Sequence, residues 1–351
     1  MPLSSPSGGS GFGIENGNIF ALRAMRNAGS DTSINFGGCI WHEPTQQIIA
    51  AGDNDYVGVK ANAYARLMQN AVLPVAAASP CRGLCLNRVD NGVLYWDAAN
   101  AYFRAPADLS VWTALGALAG TRGGIASFNN GDLISLDGTF GNEQYQISHD
   151  NGATWPDTVN FGAFMPNQTA ANSLFITSPD GSILLIGGSG NFLSTTDPTN
   201  AAAFELYVNA GSLGQVLAGA ISTDNQRAVV TSNQGGVTVI QGGLTAGNET
   251  SLVNTQNVFQ NITGVGGQTP NIVHYSEAFG GFFLFAATGN LFGFLPDDDM
   301  LNMQQGLMIG PDGITFSSAI SPMGCSASDA DGNIYVPCNA ANVELVSFVS
   351  P

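Results

Sequence analysis

The chain has 351 residues, 9 basic and 26 acidic, for a net charge of −17, although only 10% of residues are charged and 44% are hydrophobic. A pI near 4.1 argues against a protein that grips phosphate backbones, which takes basic side chains to displace counterions. The lack of basic clusters argues equally against an anionic membrane partner, and no stretch approaches the roughly 18 apolar residues of a membrane span.

Residues 1–17 open with MPLSSPSGGSG, the composition of a flexible linker without the basic start and apolar core of a signal peptide. We expect an arm here that contacts within an assembly would order, followed by one domain over residues 18–351. Residues 18–22 (NIFAL) read as a strand able to close a ring by joining the last repeat. Seven times thereafter a polar turn runs into a short apolar burst: 47–52 (QIIAAG), 92–97 (GVLYWD), 131–136 (GDLISL), 180–186 (DGSILLI), 226–231 (QRAVVT), 280–285 (GGFFLF) and 331–336 (DGNIYV). The turns recur every roughly 40 to 55 residues, the length of a four-stranded propeller blade. Such bursts suit strands covered on both faces by neighbouring blades. The predicted fold is therefore all-β: a single β-propeller of four-stranded antiparallel blades, most simply seven, with six to eight open. Residues 59–68 (VKANAYARLM) read as a short helical insertion in the first blade.

The third repeat carries Ser148-His149-Asp150-Asn151-Gly152-Ala153-Thr154-Trp155, which matches Ser-x-Asp-x-Gly-x-Thr-Trp throughout and resembles the Asp box of sialidase-like propellers. The resemblance implies a structural hairpin. The Asp150 carboxylate would bond the hairpin backbone, Gly152 would supply a positive φ, and Trp155 would pack between blades, with Ser148 and Thr154 completing the motif. Residues 194–197 (STTD) are at best a remnant in the next repeat. An Asp box supports a fold without supplying an activity.

Candidate chemistry is thin. A sialidase would need an arginine triad, a tyrosine nucleophile with a glutamate and an aspartate acid/base, yet the last of the eight arginines is Arg227 and no Arg-Ile-Pro-like motif occurs. No pair of carboxylates stands out for glycoside hydrolysis. The run Asp329-Ala330-Asp331-Gly332-Asn333 looks like half a calcium loop but lacks the distal Glu, and Asp-Gly is also a favoured hairpin turn. Cys81 and Cys85 have metal-like spacing with no second pair nearby. Cys325 and Cys338 would face each other across a hairpin at Asp331-Gly332, either as a disulfide or as two small apolar side chains. The four tryptophans, Trp41, Trp96, Trp112 and Trp155, suit packing between blades more than stacking on a sugar.

These readings name no catalytic residue, metal or cofactor. The Gly-, Ala- and Asn-rich propeller with a linker-like start resembles structural proteins of tailed-bacteriophage tails. That resemblance implies a non-enzymatic virion component, at a nozzle, hub or tip and assembled in the host cytoplasm. Its partners would be other virion proteins and copies of itself in a ring. A carbohydrate-binding or divergent sialidase-like propeller, with a host-surface glycan as ligand, is the alternative.

Overall fold

The computed structural model describes residues 19–27, 36–52, 56–60, 69–72, 81–97, 102–115, 118, 122–137, 143–162, 174–188, 190–208, 215–233, 236–253, 270–286, 291–309, 326–340 and 343–348. The N-terminal arm, residues 61–68 of the expected helix, and the side chains of Cys81, Cys325 and Cys338 lie outside them.

The chain opens with β1 (Ile19–Asn27) and then lays down blades in sequence order. Blade 1 holds β2 (Phe36–His42), β3 (Gln47–Gly52), β4 (Tyr56–Lys60) and β5 (Gln69–Val72), so Val59 and Lys60 belong to a strand and not to the predicted helix. Blade 2 holds β6 (Cys81–Leu86), β7 (Val93–Asp97), β8 (Tyr102–Ala105) and β9 (Thr113–Leu115). Blade 3 holds β10 (Arg122–Ser127), β11 (Leu133–Asp137), β12 (Gln144–Ser148) and β13 (Asp157–Asn160). Blade 4 holds β14 (Phe175–Thr177), β15 (Leu184–Gly187), β16 (Asn191–Thr195) and β17 (Glu205–Val208). Blade 5 holds β18 (Val216–Ile221), β19 (Arg227–Ser232), β20 (Val237–Gln241) and β21 (Glu249–Val253). Blade 6 holds β22 (Pro270–Ser276), β23 (Gly281–Ala286), β24 (Leu291–Pro296) and β25 (Gln304–Ile309), and blade 7 holds β26 (Ala327–Ser328), β27 (Ile334–Ala340) and β28 (Val343–Phe348).

Strand β1 supplies the missing fourth strand of blade 7. Its second half pairs antiparallel with β28 (Ala24 opposite Phe348), and its first half pairs parallel with β25 (Ile19 opposite Gln305). Blades 6 and 7 thereby join in one eight-stranded sheet, while the other five blades are separate four-stranded sheets. The first blade packs against the last through β2 on β26 and β27. This is a seven-bladed propeller whose N-terminal strand completes its last blade.

Each apolar burst is the second strand of its blade, and the seven turns before them share one backbone device. Gln46, Asn91, Gly131, Gly181, Asn225, Gly280 and Gly332 all have φ between 54° and 92°. That left-handed conformation favours Gly and Asn. Second strands are buried along their length, as in Val93–Asp97 and Leu133–Asp137, because both faces meet neighbouring blades. Six of the seven seams hold an apolar cluster among the described residues. At the seventh, between blades 6 and 7, Phe283 stacks on Phe285, meets Phe279 edge to face, and lies tilted against Phe292 and Phe294. Phe282 and Leu284 face blade 5, so strand alternation turns Phe283 and Phe285 toward blade 7.

Candidate functional site

The innermost strands of all seven blades surround a central channel of about 840 Å³. Its wall is largely apolar, with Ile40, Leu84, Ile125, Ile176 and Ile272 among the lining side chains. Antiparallel up-and-down strands put the connections between first and second strands (A–B turns) at the same end of the channel as those between third and fourth (C–D turns).

Every A–B turn carries a carboxylate, and most are engaged locally. Glu43 accepts from Trp41 Nε1 (2.6 Å) and Asp90 pairs with Arg104. Asp132 meets His149 Nδ1 at 2.7 Å. Asp180 accepts from Ser178, Ser182 and Asn225; burial works against its charge, but these bonds outweigh it and hold the carboxyl well below its usual range. Asp224 accepts from Ser222 and from Arg227 Nη2 (2.8 Å). In blade 7, Asp329 accepts from the backbone N–H groups of Asp331 and Asn333 and from Tyr335 Oη at 2.7 Å. The half calcium loop is thus a hairpin turn whose first carboxylate caps the backbone, and no three described His, Cys, Asp or Glu side chains converge on a metal position.

Among the described residues, Arg88 is the cation lining the channel mouth. Arg88, in the A–B turn of blade 2, donates Nε to the Ser127 carbonyl (3.2 Å) and Nη2 to the Ser178 carbonyl (2.8 Å) and Thr177 Oγ1 (3.2 Å), with Nη1 on the Pro179 carbonyl. The side chain spans three blades, and burial lowers its pKa. Gly181 makes room for it, since a Cβ there would lie 2.4 Å from Arg88 Cδ. Nothing in the sequence flagged Arg88, because its acceptors lie 39 to 91 residues away.

The Asp-box residues form the C–D hairpin of blade 3, away from the channel wall. Asp150 Oδ1 accepts from the Thr154 backbone N–H (2.8 Å) and from Ser148 Oγ (2.8 Å), while Oδ2 accepts from Thr154 Oγ1 (2.6 Å). Ser148 Oγ accepts from Gly152 N–H at 2.8 Å, and Gly152 has φ 85°. Bonds from Thr154 chiefly hold the Asp150 carboxyl below its usual range. Trp155 packs on a cluster shared by blades 2 and 3 and lies 6.5 Å from the Tyr102 ring. The remnant in blade 4 sits at the corresponding hairpin one residue later than the 194–197 reading starts: Thr195 Oγ1 accepts from Asp197 N–H, and Asp197 accepts from Thr199 N–H and Oγ1.

The histidines are dispersed. His42 joins Thr45 Oγ1 (2.7 Å) to the Asn91 carbonyl (3.0 Å), and exposed His149 lies between Asp132 and Asp157 (2.7 and 2.8 Å). Buried His274 on β22 meets Ser326 Oγ at 2.8 Å and Ser328 Oγ at 2.6 Å across the seam between blades 6 and 7. Among the described arginine side chains, Arg88, Arg104 and Arg227 each serve a different turn, and no triad forms. Of the tryptophans, Trp96 and Trp112 are buried, and Trp41 and Trp155 half-buried.

The fold defines a class, the seven-bladed β-propeller. Two solved structures share it across nearly their whole length. The WD40 repeats of RRP9 superpose with a TM-score of 0.66 at 8% identity, covering 94% of this chain and 98% of that one. U3-55K gives a TM-score of 0.66 at 8% identity, covering 93% and 98%. At such identity the likeness is one of fold alone. No protein-family model matches the sequence, and no curated protein does. No helix among the described residues is long and apolar enough to cross a membrane.

Proposed function

We propose that this propeller is a non-enzymatic assembly module and a structural protein of a virion, acting in the tail of a tailed bacteriophage as a nozzle, hub or tip component. The observation that carries the reading is the placement of β1. As the outermost strand of blade 7, it begins at Ile19 on the circumference of the ring, where neighbouring copies or other virion proteins would lie. Supporting it, the polar groups of the A–B and C–D turns are largely engaged with one another. Specific nucleic-acid binding and membrane association do not belong to this reading, for the charge reasons given above. The half-buried and buried tryptophans favour no sugar platform, so the carbohydrate reading gains nothing from the geometry.

The test is the mass of the native species, by mass photometry on untreated material. A megadalton particle containing many protein species is the expected result, and a monodisperse species of 36.2 kDa would overturn the proposal.

A further inference from the structure

The channel mouth is asymmetric. On the side of blades 2 to 4 stands Arg88, its guanidinium already bonded to carbonyls. On the side of blades 6 and 7 stand Glu277 and Asp331, one in each A–B turn, both exposed and both lining the channel. Unlike the carboxylates of the other turns, these two side chains take part in none of the hydrogen bonds or ion pairs described above. Next to Glu277, at the end of β22, Ser276 also lines the channel. Its residue is only 2% exposed, and Ser276 Oγ is buried without a hydrogen-bond partner. Buried hydroxyls are seldom left in that state, because the lost hydration is uncompensated.

We propose that this corner of the mouth receives a basic side chain, a lysine or arginine presented by a partner protein. Its cationic group lies between Glu277 and Asp331 and donates to Ser276 Oγ, while its methylene stem runs over the apolar channel wall. Three features select this occupant. A carboxylate on every A–B turn and a net charge of −17 draw cations to this face. The absence of three converging ligands among the described residues points away from a metal ion. A long side chain with a charged head and an apolar stem matches a polar rim above an apolar bore. The inference deepens the assembly reading and rests on it in taking the cation to belong to a protein.

The test uses the full chain and labelled hexalysine, followed by fluorescence anisotropy at about 50 mM salt, where surface charge is weakly screened. The double substitution Glu277→Gln/Asp331→Asn should weaken binding about tenfold, the scale of a lost close charge pair, and Ser276→Ala about threefold. The matched double substitution Glu205→Gln/Asp298→Asn, which removes two charges elsewhere, should change it less than about twofold. Equal weakening in the two double variants would show diffuse attraction and overturn the proposal. So would absence of hexalysine binding, or displacement of hexalysine by calcium chloride beyond that caused by sodium chloride at equal ionic strength. Failure here leaves the particle mass unchanged, whereas failure of the assembly reading appears in that mass, so the two are separable.

Discussion

The seam between blades 2 and 3 and the seam between blades 6 and 7 join equivalent surfaces by different physics. At the first, the inner end is apolar: Cys85, Leu94, Trp96, Ile125 and Leu133 pack as one cluster, with Trp155 against it. The Trp96 ring lies over Gly83, where a Cβ would come within 2.5 Å of it. At the second, the inner end is polar, with His274 between two serines, and the outer end is tied by β1 pairing with both blades. An apolar seam tolerates any pH but little change of volume. The second seam, which also packs Phe283, depends in addition on one imidazole staying neutral, so the same ring holds parts that fail under different stresses.

The largest expected break is Trp96→Ala, which empties the apolar seam. The residue is 3% exposed, and the loss should be about 3 to 5 kcal/mol, read as a lower denaturant midpoint at unchanged slope. Next comes acid. Burial lowers the His274 pKa from 6.5 to about 4, so below about pH 6.5 the unfolded chain binds a proton that the folded chain refuses. Stability should therefore fall as pH drops from about 6.5 to 4, by on the order of 3 kcal/mol in total. A His274→Gln protein, able to keep hydrogen bonds to the serines, should lose that part of the slope. An unchanged slope would mean that the imidazole is charged in the fold. Asp150→Ala comes third: it strips the acceptor from Ser148 and Thr154 and should cost about 1 to 2 kcal/mol, with the seam cluster left in place.

What could be read in the sequence follows the same division. The bursts were visible because second strands are covered on both faces, so 133–137 (LISLD) is buried residue by residue. First strands were less visible, since glycines interrupt them where a neighbouring blade comes close, as at Gly124 in 122–127 (RGGIAS) and Gly219 in 216–221 (VLAGAI). Outer strands such as Asp157–Asn160, with one buried position, carry almost no signal. Val59 and Lys60 sit in a strand because β4 must pair with β3 at Ile48 and Ile49, a tertiary demand that local propensity does not see. The Asp-box hairpin could be read because its bonds span seven residues, from Ser148 to Thr154. The channel mouth could not, because Arg88, Ser276, Glu277 and Asp331 come from three blades.

The smallest effect sharpens the contrast most, because its sign is opposite. His149, in the Asp-box hairpin, is pulled above its ordinary pKa by Asp157 and then Asp132. Its folded form therefore binds a proton that the unfolded chain has already released. That contribution is fully present below the unfolded pKa of about 6.5 and is lost as pH rises through the higher folded value. The ring is exposed and salt screens the pair, so the gain should be no more than about 0.5 kcal/mol. His149→Gln should flatten a shallow decline in stability above about pH 6.5 while leaving the acid limb untouched, and His274→Gln should do the reverse. Thermal midpoints of both variants across pH 4 to 8, at low and high salt, separate the two histidines: only the His149 limb should shrink when salt is added.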